Sequence, residues 1–305
     1  MKTFIFSALA LGMMASCSNT EVEGIDVVDN GEPVAVNLIA GVQVSATSRA
    51  VIDEGSTFTA SVFGWNVTGE ATPEYATATP WTSLTGSIKA AAGGGEAVSL
   101  TDAQFYQTSG DKTYIKAVSP ADGTIEGGVY TFKTPLTEEE DVLLTKATLT
   151  GDRKNATVAL AFSHVLTRFN FKVVKGEHFD AGVTVSKIVV NGGKLAQKID
   201  LATAETTPTE AKEINIAVNN VEINTSAANA GNPIMIVPCS AESLTLDIET
   251  VGAGSYAGIT ISPASGDNFI EGTSYDITLT FTGKSVGATA SVGKWQDGTG
   301  SGIVQ

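Results

Sequence analysis

The stretch Val34-Ala-Val-Asn-Leu-Ile-Ala-Gly-Val-Gln-Val-Ser-Ala46 decides the fold. Val34, Val36, Leu38, Ala40, Val42, Val44 and Ala46 occupy every even position, while Asn37, Gln43 and Ser45 share the odd ones. Successive side chains of a strand point to opposite faces, so this alternation predicts a strand with one buried face. No helical period fits it. Working outward, the same device recurs at Phe58 with Val62 to Trp65, Tyr114 to Val118, Val129 to Phe132, Val142 to Leu144, and Val158, Leu160 and Phe162. It continues at Phe169, Phe171 and Val173, then Ile188 to Val190, Ile214 to Val218, Ile234 to Val237, Leu244 to Ile248 and Tyr275 to Phe281. Gly and Pro clusters punctuate these runs, as at Ser119 to Gly123 and Ala230 to Pro233. Short strands at such intervals predict an all-β protein built of sandwiches. The apolar phase is even through Phe162 and odd from Phe169, so the chain must bulge or change sheet near His164. A domain boundary is expected there, with 50–160 and 161–305 as two β-sandwich domains, consistent with a chain of 305 residues. Ala90 to Gly95, Ala202 to Glu210 and Gly252 to Gly258 read as loops or turns.

The balance of 18 basic against 33 acidic residues gives a net charge of −15, which repels phosphate backbones, so nucleic acid is not an expected partner. Two cysteines and two histidines supply neither a structural metal set nor a disulfide framework, and no cofactor is expected. The glycine-rich spots lack the lysine and hydroxyl order of a phosphate loop. The carboxylate run Glu138 to Asp141 lacks the alternate spacing of a calcium loop and reads as a solvated turn. No G-x-S-x-G elbow occurs, and neither His164 nor His178 sits in a recognisable catalytic setting, so enzymatic activity is not expected. Trp65, Trp81 and Trp295 could stack on sugars if they shared a face; core or edge packing is the ordinary reading.

The N-terminus sets an address. Lys2 precedes an apolar or small run from Phe4 to Met14, then Ala15, Ser16 and Cys17, which reads as a signal peptide over 1–16. The run is too short for the ~20 residues of a membrane-spanning helix. Its end resembles the lipobox of bacterial lipoproteins, in which Cys17 would carry acyl chains and anchor the protein to the outer membrane. Cys239 would then be an unpaired thiol.

Several phrases in order resemble one family: the lipobox at Cys17, Ser48-Arg49-Ala50, Thr113 to Pro120, Asp141 to Ala147, Phe162 to Phe171, Ile234 to Pro238, Gly272 to Phe281 and Val292 to Gly298. They resemble the fimbrillin (FimA and Mfa-like) proteins that build type V pili in Bacteroides and its relatives. The resemblance implies two tandem transthyretin-like β-sandwich domains, export as a lipoprotein, and cleavage between Arg49 and Ala50 by an arginine-specific protease. Cleavage would free the propeptide 17–49 with its strand residues Val34, Val36, Leu38, Val42 and Val44. Polymerisation with other copies or related pilins by strand exchange would follow. Val286, Ala288, Ala290 and Val292 alternate after the Tyr275 to Phe281 strand and make 285–296 the candidate donor. The alternative is a lipid-anchored adhesin or glycan-binding protein that keeps its first strand and never polymerises.

Overall fold

The computed structural model describes residues 31–42, 56–69, 71–89, 95–133, 136–283 and 285–292. Among them are twenty-five strands, one 3-10 turn at Ala241–Ser243 and no α-helix. The largest sheet has eight strands. Its path runs Trp81–Leu84, Ser61–Asn66, Thr113–Ser119, Leu143–Leu144, Thr157–His164, Asn37–Val42 and Glu96–Val98, with Leu149–Gly151 also paired to Thr113–Ser119. Thr113–Ser119 is buried at all of its positions. The cause is that this sheet is covered on both faces, and a strand buried on both faces carries no polar alternation. On one face, Val62, Ile115, Ala117, Leu143, Leu160 and Phe162 pack with Val36, Leu38, Ala40 and Val42. On the other, Phe63, Trp65, Tyr114, Val118 and Leu144 meet Tyr130, Ile199 and Leu201. Tyr130 and Ile199 lie in, and Leu201 directly follows, strands of a four-stranded sheet ordered Thr206–Pro208, Ala196–Asp200, Val129–Thr131 and Thr124–Glu126, so strands from either side of residue 160 share one sheet.

Thr57–Phe58 and Ile88–Lys89 pair with each other and add Phe58 and Ile88 to the first-strand face, and the other strands make a second core. A five-stranded sheet runs Ala228–Asn229, Thr167–Lys175, Ser274–Phe281 and Val286–Val292, with Ile234–Ile236 on Thr167–Lys175. A four-stranded sheet runs Lys212–Glu222, Thr184–Gly193, Thr245–Val251 and Gly254–Thr260. Phe169, Phe171, Ile277 and Leu279 of the first sheet and Ile188, Val190, Ile214, Ile216 and Ile248 of the second bury one apolar cluster, the arrangement of a β-sandwich. The chain passes from one core to the other between His164 and Thr167, where Val165 and Leu166 are both buried and the phase of burial switches from even to odd.

Four sequence expectations are corrected. The first strand begins its ladder at Asn37 instead of Val34, preceded by an isolated bridge from Ala35 to Phe105; it is described as far as Val42, and residues 43–46 lie outside the described part. Glycines at 252, 254 and 258 do not keep 252–258 as a turn: after Gly252 the chain runs on as the strand Gly254–Thr260, because its neighbour Thr245–Val251 pairs with it on both sides of a register shift between Tyr256 and Ile259. Thr206–Pro208 is a strand inside the expected 202–210 loop, held by Ala196–Asp200. Asp141 is not solvated. It is buried against His164.

Candidate strand-exchange site

The first strand is not at an edge. On one side it runs parallel to Thr157–His164, with Leu38 opposite Val158, Ala40 opposite Leu160 and Val42 opposite Phe162. On the other it runs antiparallel to Glu96–Val98, with Leu38 opposite Val98 and Ala40 opposite Glu96. Upstream, the Val36 amide donates to the Gln104 carbonyl at 2.8 Å and the Tyr106 amide to the Val34 carbonyl at 3.0 Å. Both backbone sides are thus satisfied, as burial requires. Val36, Leu38, Ala40 and Val42 are all buried, and Val34 is half-buried against the same core. Ala40, absent from the expected site residues, belongs to this inward row. Gly95 presses so closely on the strand that a Cβ there would stand 2.7 Å from the Ala40 backbone. Only a residue without a side chain lets the outer strand approach this far.

The last strand, Val286–Val292, does lie at an edge. It pairs antiparallel with Ser274–Phe281, Ala290 opposite Ile277 and Val292 opposite Tyr275, and its other side carries a single bridge from Ala290 to Pro263. Ala290 is buried, Val286 and Ala288 are half-buried, and Val292 is 52% exposed. An open groove of about 550 Å³ separates the start of this strand from Tyr256 to Thr260. The two strands therefore belong to different sheets, and the structure does not bring the displaced-strand residues and the donor residues together. Cys17, Val44, Arg49 and Ala50 lie outside the described residues, as does Trp295. Trp65 is buried in the core, which removes it from any sugar platform.

The titratable groups hold structure. His164 Nδ1 stands 2.8 Å from Asp141 Oδ2, and Asp141 Oδ1 accepts the Val142 amide at 2.8 Å. With 5% and 2% of their side chains exposed, this pair is closed to a substrate; it fastens Leu143–Leu144 to Thr157–His164. Twenty-three residues separate the partners, and only the acid run hinted at one of them. Lys116 is buried in the central strand, its amine donating to the carbonyls of Thr145 at 3.3 Å and Lys146 at 2.8 Å, and burial pushes its pKa down. Cys239 is a half-buried free thiol whose pKa burial pushes up, which makes it a poor nucleophile. Among the described residues no group of three or more His, Cys, Asp or Glu could hold a metal ion. No described helix is long and apolar enough to cross a membrane.

Comparison with known proteins places this geometry. Residues 48–295 match the family model described as fimbrillin-like. A putative cell adhesion protein from Bacteroides uniformis superposes with a TM-score of 0.57 at 17% identity, covering 88% of this chain and 99% of its own. A fimbrial protein from Bacteroides vulgatus gives 0.57 at 15% identity, covering 85% and 99%. A putative cell adhesion protein from Parabacteroides distasonis gives 0.54 at 12% identity, covering 88% and 98%. At these identities the likeness is one of fold. No curated protein matches the chain.

Proposed function

The chain belongs to the fimbrillin-like family, and we propose that it is a structural pilin of a cell-surface fimbria that polymerises by β-strand donation once its first strand has been removed. In this reading the precursor is exported with a signal peptide over 1–16, carries lipid on Cys17 at the outer membrane, and is cut between Arg49 and Ala50 by an arginine-specific protease. Its two cores are tandem transthyretin-like sandwiches, and its partners are other copies or sister subunits. No catalysis is required.

The observation that carries the reading is the placement of the first strand. Its inward row Val36, Leu38, Ala40 and Val42 is part of a core, it is paired on both sides, and Arg49 follows only seven residues after Val42. A cut at Arg49 separates this strand from the rest of the chain without touching any described strand. Its loss leaves an apolar groove between two unpaired backbone edges, and such edges recruit a strand from another molecule. Cleavage also moves the net charge of the chain from Cys17 onward from −16 to −12, lowering repulsion between subunits.

The test is to incubate the precursor, begun after Cys17, with an arginine-specific protease. The wild type should begin at Ala50 and give a ladder of oligomers, and Arg49→Ala should stay monomeric. Assembled fibres whose subunits still carry residues before Arg49 would overturn the reading. Replacing Cys17 by Ala should release the protein from the membrane; unchanged retention would remove the lipid anchor.

A further inference from the structure

Thr184–Gly193 and Lys212–Glu222 are neighbours in the second core, and their ladder ends with Gly193 opposite Lys212. A two-residue turn is enough to join such a pair. The chain instead makes a long excursion over 194–211 and folds its middle into a hairpin of Ala196–Asp200 with Thr206–Pro208. This hairpin lies on the other core. Ala196–Asp200 pairs antiparallel with Val129–Thr131, Ile199 opposite Tyr130. The bonding continues at both ends, where the Phe132 amide donates to the Gln197 carbonyl at 3.2 Å and the Leu201 amide to the Gly128 carbonyl at 3.0 Å. Ala196, Ile199 and Leu201 are at most 1% exposed and pack with Phe63, Trp65 and Tyr130 of the first core. None of the three belongs to the apolar cluster of the second core. We infer that the hairpin 196–208 is a strap by which the second half of the chain completes the first core, so that the first core depends on it for stability and the second core does not.

Three observations support the strap. First, on this face the first half supplies as its own cover the hairpin of Thr124–Glu126 with Val129–Thr131, and two strands alone are marginal in water. The strap makes that sheet four-stranded. Second, the excursion is pinched shut before it leaves the second core. Leu195 is buried in that core's cluster, its carbonyl accepts the Thr209 amide at 2.8 Å, and its own amide donates to Thr209 Oγ1 at 3.1 Å. The strap is therefore held at its base whether or not its far end is docked. Third, little else from the second half reaches this face. Among the described residues, beyond the strap and the crossing at Val165 and Leu166, only Met235 and the half-buried Val237 join it. The side-chain ties from Lys146 to Glu271 and from Asn232 to Glu139 are exposed, and exposed ties contribute little.

The strap imposes an order of assembly. The strands of the first core from Ser61–Asn66 to Thr157–His164 all precede it in the chain, so the first half cannot close this face before residue 208 has been made. The core that begins first is finished last. This holds whether or not the first strand is later removed.

The intact chain tests the inference. Replacing Ala196–Pro208 by the dipeptide Asn-Gly joins the bonded pair Leu195 and Thr209 through a two-residue hairpin turn and leaves the second core's cluster unaltered. Hydrogen exchange should then show the amides of Thr113–Ser119 at near-unfolded rates, while those of Thr167–Lys175 and Ser274–Phe281 stay protected. Protection of Thr113–Ser119 at the wild-type level in this chain would overturn the inference. A second variant, Ile199→Ala, keeps the strap's backbone and decides the case in which the deletion leaves neither core folded. It should speed exchange in Thr113–Ser119 by at least about thirtyfold and in Thr167–Lys175 by less than about threefold. Equal acceleration in the two cores, or none in the first, would overturn the inference.

Discussion

The first and last strands hold opposite positions in two similar frameworks. In the first core, Asn37–Val42 runs parallel to Thr157–His164; in the second, Thr167–Lys175 runs parallel to Ser274–Phe281. In both, the opening strand is closed on its outer side by short antiparallel pieces, Glu96–Val98 in one and Ala228–Asn229 with Ile234–Ile236 in the other. The second framework then adds Val286–Val292 beyond its closing strand. The difference in burial matters more than the likeness in pairing. Three large apolar side chains of the first strand, Val36, Leu38 and Val42, are buried, worth roughly 5 to 9 kcal/mol gross. The last strand buries one methyl group fully and two side chains in part, worth about 2 kcal/mol. The chain thus holds one strand too firmly to leave unaided and another loosely enough to leave readily.

Deletion breaks this comparison most directly. Removing Met1 to Val42 should cost roughly 5 to 9 kcal/mol, comparable to a whole domain's net stability of ~5 to 15, and should leave the amides of Thr157–His164 in fast exchange. Removing Ser285 to Gln305 should cost about 2 kcal/mol and leave a folded monomer that cannot extend a polymer. Urea denaturation and hydrogen exchange on both truncations decide it; equal losses would erase the asymmetry. At single positions the contrast narrows. Leu38→Ala should cost about 2 to 5 kcal/mol, and Ala288→Gly about 0.5 to 1, by shifts in urea midpoint at constant slope.

The inward row of the first strand was legible because side-chain period follows from backbone geometry alone, and Val36, Leu38 and Val42 are buried as the alternation requires. The change of sheet near His164 was legible for the same reason. What covers the strand's outer edge was not, since Glu96–Val98 is three residues long, too short for any period, and its position depends on pairing sixty residues away. Gly254–Thr260 was misread because glycine signals a turn locally, whereas Gly252, Gly254 and Gly258 keep a positive φ at the entry and at the bulge of a strand that its neighbour still pairs. The Asp141–His164 pair escaped because hydrogen bonding between distant residues leaves no local pattern.

Two glycines sharpen the comparison through opposite signs. A Cβ at Gly95 would lie 2.7 Å from the N, C and O atoms of Ala40, and backbone held in two ladders cannot yield cheaply, so Gly95→Ala should cost about 1 to 3 kcal/mol. At Gly287 nothing lies within 4 Å, so Gly287→Ala should be neutral or gain up to about 1 kcal/mol by restricting the unfolded chain. Thermal unfolding of the pair tests whether the first strand is clamped from outside while the last is open. Matching effects would show that it is not.

The smallest expected effect concerns a cost carried by the first core alone. Lys116 lies in the strand Thr113–Ser119, buried, with carbonyl partners at Thr145 and Lys146, and burial lowers its pKa from 10.5. Between that lowered pKa and 10.5 the unfolded chain binds more protons at this site than the folded one, so stability rises with pH across the window. Below the window both states are protonated and the full penalty of burying the charged amine applies. Tyr106 acts in the opposite sense at higher pH. Burial pushes its phenol up to about 12, so above 10 the unfolded chain ionises first and stability falls. Cys239, whose pKa burial pushes up, lowers stability within pH 8 to 10 but is common to both proteins, so the difference between wild type and Lys116→Met isolates the lysine there. The wild type should gain stability relative to Lys116→Met as pH rises through this range, although the methionine variant starts with two carbonyls deprived of a donor. A constant difference between the two proteins from pH 8 to 10 would mean that Lys116 is buried with its pKa unchanged, and that the first core bears no titrating cost.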